Sequence, residues 1–138
     1  MSYPVSGSAN PQKWLGRKVL SHHFHEFEIE LFETALRHQP ENVDALYSLG
    51  NAYTRVGRYE EGLRIDRQLA EIFPENPTVH YNLACSLALL GRNDSALETL
   101  HYALEIGFDD ERLLATDPDL KSLRLDPRFQ ELVTEDNA

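Results

Sequence analysis

The chain has 138 residues, with 13 lysines and arginines against 23 aspartates and glutamates, a formal charge of −10. That length is one domain, and that charge argues against nucleic acid or an anionic membrane as partner, because phosphate binding needs a basic face. No run of about 18 apolar residues is present, no secretory leader is expected from Met1–Val5, and the single Cys85 admits no internal disulfide and fits a reducing cytoplasm.

The charge is uneven. Residues 1–40 carry four basic and four acidic residues, with four of the six histidines. The whole acidic excess belongs to residues 41–138.

In chain order, residues 1–10 read as a mobile tail. Residues 11–40 carry Leu15-Gly16, Phe32, Ala35 and Pro40. The cluster His22-His23-Phe24-His25-Glu26 is metal-like: His22 shares a helix face with His25 or Glu26. Nothing nearby completes a four-ligand set, so a solvated helix start with Phe24 and Phe27 buried is expected, and no metal.

Residues 41–74 place Leu46, Leu49, Tyr53 and Val56 at helical spacing, break at Gly57-Arg58, then place Leu63, Leu69, Ile72 and Phe73 on a second helix ended by Pro74. Residues 75–108 do the same, with Leu83, Leu87 and Leu90, a break at Gly91, and then Ala96, Leu97, Leu100, Ala103 and Leu104. Asn42, Asn76 and Asp110 suit N-caps, with Pro77 at a first helical position. In residues 109–134, Asp117-Pro118 and Asp126-Pro127 each read as an N-cap and a proline first turn. There Leu120, Leu123, Leu125, Phe129, Leu132 and Val133 are expected to cover the open face of the last hairpin. Residues 135–138 read as a second tail.

A shift of 34 residues superposes the chain on itself. Leu15-Gly16, Leu49-Gly50 and Leu83-Ala84 fall together; so do Gly57-Arg58 and Gly91-Arg92, and Gly62-Leu63 and Ala96-Leu97. A chain of matches at one offset is the signature of a repeat array.

Leu49-Gly50, Tyr53, Gly62 and Pro74 resemble the unit of the tetratricopeptide repeat (TPR) family. The resemblance implies an all-α fold: a short TPR-like solenoid of about three helical hairpins plus C-terminal capping helices. It divides the single domain into a divergent repeat (11–40), two repeats (41–74 and 75–108) and a degenerate repeat or cap (109–134). Glu28 stands where the family has a small side chain, which predicts an irregular first hairpin. Phe108 replaces the closing proline of its unit. The last segment resembles the one that closes TPR arrays in bacterial proteins.

The resemblance also implies a concave groove, lined by first helices, that binds a peptide or partner segment. On this sequence the groove offers Asp44, Tyr47, Asn51 and Thr54, then Thr78, Tyr81, Asn82 and Cys85, with Arg112 beyond. One TPR subclass clamps acidic tails with lysines, arginine and two asparagines. Asn51, Asn82 and Arg112 match that set, but Tyr47 and Thr116 stand where two of its cations belong.

No phosphate loop, nucleophile elbow or cysteine–histidine pair is present, so no enzyme activity and no cofactor is expected. The expected function is protein binding. A chaperone-like holder of apolar or basic clients and a metal sensor or enzyme built on the histidines are the alternatives. A homodimer through the N-terminal hairpin is a further expectation, with Phe24, Phe27, Leu31 and Phe32 as contacts.

Overall fold

The computed structural model describes the backbone of residues 11–136 and the side chains of residues 23–134. The tail expected at 1–10 lies outside the described residues. The tail expected at 135–138 begins as helix, because the last helix runs to Asp136.

Two complete helical hairpins form the centre. α2 (Val43–Arg55) pairs with α3 (Tyr59–Ile72), and α4 (Pro77–Leu89) with α5 (Asn93–Glu105). The local reasons are those of the repeat. Asn42, Asn76 and Asp110 each accept a hydrogen bond from the backbone N–H three residues on, at 3.1, 3.2 and 3.0 Å. Each thereby satisfies one orphan donor of a helix start. The turns at Gly57 and Gly91 have φ of 82° and 72°, a left-handed conformation in which a Cβ meets the backbone. Within the first hairpin the backbones approach closely: a Cβ on Gly50 would lie 3.2 Å from Ile65 Cγ2.

The first unit differs from expectation. It is not a hairpin but one continuous helix, α1 (Pro11–His38). The residue 34 positions before Gly57 is His23, and no described non-glycine residue has positive φ. Without a glycine at the turn the chain stays helical. The second half of α1 takes the place of a second helix. Ile29 is buried, and Phe32 and Leu36 pack with it on Leu49, Ala52 and Tyr53 of α2. Phe24 and Phe27, expected in the core, are 57% and 62% exposed.

The C-terminal segment runs through α6 (Glu111–Thr116), a 3₁₀ turn (Pro118–Leu120), α7 (Lys121–Arg124) and α8 (Pro127–Asp136). The 3₁₀ turn packs on α4, and α7 and α8 pack on α5. Leu120, Leu123 and Phe129 enter the largest core with Leu97, Leu100 and Ala103. Burying each such side chain is worth about 1.5–3 kcal/mol. Leu132 and Val133 pack at the margin, whereas Leu125, expected to join them, is 85% exposed. Among the described residues no helix is long and apolar enough to cross a membrane.

Candidate functional site

α3 packs against both α2 and α4. A small cavity of about 80 Å³ opens between them. α2 lines it with Tyr47, Asn51 and Thr54, and α4 with Asn82, Cys85 and Ser86. Asp66 of α3 and Asp117 and Asp119 of the cap complete the wall. Five of the expected groove residues therefore meet in one recess: Tyr47, Asn51, Thr54, Asn82 and Cys85. Asp44, Thr78 and Arg112 are exposed and do not line it.

Tyr81 is not a groove residue. It is 3% exposed. Its ring stacks on Phe108 with centroids 4.1 Å apart, and its hydroxyl donates to Asp117 Oδ2 at 2.6 Å. The Phe108 that replaces the closing proline thus fills the core beside Tyr81. Cys85 is also buried, with its thiol 3.9 Å from the same oxygen of Asp117. Burial first, and then the Asp117 carboxylate, push that thiol well above its ordinary range. It is a protonated donor and not a nucleophile.

Asp66 is the most perturbed carboxylate. Desolvation pushes its pKa up to about 7, while the hydrogen bond donated by Ser86 Oγ acts in the opposite direction. Asp119 is raised as well, by burial and then by Asp117. Tyr47 is raised by burial and then by Asp66. No lysine or arginine lines the recess. A recess with three carboxylates and no cation attracts positive charge and repels carboxylates. An acidic-tail clamp does not fit these surroundings, although Asn51 and Asn82 are both present.

Asp66, Asp117 and Asp119 are not among the site residues expected from sequence. For Asp66 a signal exists. The equivalent positions in the neighbouring units are Phe32 and Leu100, so a carboxylate interrupts an otherwise apolar column. For Asp117 and Asp119 none does, because α6 is six residues long and the chain leaves the period there.

Among the described residues, Cys85, Asp117 and Asp119 form a group with ligand atoms within 4.8 Å of one another. Both Asp117 oxygens already accept hydrogen bonds, from Tyr81 and from the Asp119 N–H. Of the histidine cluster, His25 Nδ1 lies 3.5 Å from Glu28 Oε2; the His22 side chain lies outside the described residues.

A family model described as tetratricopeptide repeat matches residues 31–64, from the second half of α1 into α3. A chloroplastic protein of Arabidopsis thaliana is 34% identical over 87 residues, covering 61% of this chain and 26% of the relative. Superkiller protein 3 of Schizosaccharomyces pombe is 32% identical over 75 residues, 54% of this chain and 5% of the relative. Superkiller protein 3 of Saccharomyces cerevisiae is 32% identical over 83 residues, 60% of this chain and 6% of the relative. The chain spans about a quarter or less of the length of these relatives. Residues 31–64 thus match a tetratricopeptide repeat, and the 34-residue period and the two helical hairpins agree with that match.

Proposed function

We infer that the protein is a non-catalytic interaction module that holds an extended, basic segment of a partner protein along its concave side. The observation that carries this reading is the recess in which Asp66, Asp117 and Asp119 converge with Asn51 and Asn82. A lysine or arginine side chain of the partner enters it. The asparagine amides offer donors and acceptors to the flanking peptide backbone. Tyr47, half-buried at the rim, adds apolar area at low entropic cost. The formal charge of −10 supports the reading by steering cationic segments to the surface. A polar floor of this kind is a poor seat for an apolar client, so the basic segment is preferred over the apolar one.

The test is an array of length-matched basic, apolar and acidic peptides probed with the full chain. Basic peptides are expected to be retained, with binding that weakens as salt rises and the Debye length falls below ~10 Å. Asn82→Ala with Asp119→Asn is expected to lower their affinity about tenfold, roughly 1.4 kcal/mol, with unchanged helical circular dichroism. Equal retention of apolar or acidic peptides would overturn the reading.

A further inference from the structure

α1 carries an apolar face that no described residue covers. Phe24, Phe27 and Leu31 are 57%, 62% and 52% exposed. They stand at helical spacing on one face, while Ile29, Phe32 and Leu36 pack on α2. The repeat shows what belongs on that face. In the next unit Gly50 of α2 lies against Ile65 of α3. The residues 34 positions earlier are Gly16 and Leu31. In α1 these two sit on the same helix, 15 residues apart, or roughly 22 Å at 1.5 Å per residue. The first turns of α1 have the sequence of a first helix, yet they cannot reach the face that a first helix covers.

We propose that a second copy of the chain covers it: two α1 helices pack antiparallel about a two-fold axis near His23, each lending its first turns to the other. The register is that of the regular hairpin. Gly50 and Ile65 face each other about the turn at Gly57-Arg58. The same register about His23-Phe24 sets position 16 of one copy against Leu31 of the other. An antiparallel pair with this centre is self-complementary, as a two-fold interface requires. The charges agree. Residues 11–20 contribute Lys13, Arg17 and Lys18 with no acid, and residues 24–35 contribute Glu26, Glu28, Glu30 and Glu33 with no lysine or arginine. Antiparallel packing lays the basic half of each helix along the acidic half of its partner. It also completes the unit that lacks a turn.

The test is sedimentation equilibrium of the full chain across the micromolar range, with two sets of variants. The wild-type chain is expected at twice its 15.8 kDa mass. Phe27→Glu with Leu31→Glu is expected at the monomer mass with its helical circular dichroism retained, since both side chains are exposed in the single copy. In a Cys85→Ser background, Gly16→Cys with Leu31→Cys is expected to oxidise to a covalent dimer. A wild-type monomer throughout the range would overturn the proposal. So would a glutamate variant that stays dimeric. An intramolecular bridge between the two introduced thiols, showing that α1 folds back on itself, or no bridge at all, would overturn it too.

Discussion

The Tyr81 hydroxyl donates a 2.6 Å hydrogen bond to the carboxylate of Asp117, which lies 36 residues further along the chain. The other oxygen of that carboxylate accepts from the Asp119 N–H at 3.0 Å, capping the 3₁₀ turn. The Asp117 carbonyl accepts from Arg124 at 2.9 Å. One residue therefore fastens the cap to α4 and fixes the fold of the cap itself. Tyr81→Phe removes the bond to α4 and leaves Asp117 short of a partner. It is expected to destabilise the chain by about 1–3 kcal/mol, read as a lower urea midpoint with little change in slope.

Asp66 gives stability and binding opposite pH dependences. An unfolded aspartate titrates near ~3.9, whereas burial raises Asp66 to about 7 in the folded chain. Between those values the folded chain holds a proton that the unfolded chain has released. The contribution of Asp66 to stability is thus complete below about pH 4 and is lost as pH rises through about 7. Asp66→Asn cannot ionise. It is expected to be more stable than wild type above pH 7 by a few kcal/mol, roughly 2–4, with the difference vanishing near pH 4. Urea denaturation of both proteins across this range measures it.

A cationic guest in the recess favours ionised Asp66, so its binding expels a proton. The affinity for a basic peptide is expected to rise with pH through about 7 and then level off. In the Asp66→Asn protein the same titration is expected to be weaker and flat. A wild-type affinity that does not change with pH would separate Asp66 from the binding site.

The turn glycines are required by conformation alone. A Cβ on Gly57 or Gly91 meets nothing within 4 Å, yet both residues have positive φ. Gly57→Ala and Gly91→Ala are each expected to cost about 1 kcal/mol. The two sites are in separate hairpins, so the double variant is expected to show the sum within about 0.5 kcal/mol.

Two leucines in the cap discriminate its packing. Leu123 is fully buried and Leu125 is 85% exposed. Leu123→Ala is expected to cost about 2–5 kcal/mol and Leu125→Ala less than about 0.5. Thermal unfolding of the two variants tests whether the cap seats as described.

The repeat is legible because it is local. N-caps at Asn42, Asn76 and Asp110, glycines at two hairpin turns and apolar residues at helical spacing act within a few residues of themselves, and one offset aligns them. Asn51, Asn82 and Cys85 are legible as neighbours for the same reason: the period repeats a first helix at α2 and at α4, and both pack on α3. α1 misleads because its Leu15-Gly16 signature is present while the turn glycine is missing, and a helix that meets no left-handed residue continues.

The sequence by itself thus determined the repeat, the helical hairpins and the side of them that carries polar residues. Only the tertiary structure decided what that side contains. The cap leaves the period after six residues of α6, and no spacing rule predicts where an aperiodic segment docks. Its docking on α4 buries Tyr81 and Cys85, brings Asp117 and Asp119 to Asp66, and turns an open groove into an acidic recess. Burial then raises the pKa of Asp66, a property set by what surrounds a carboxylate and not by its place in the chain.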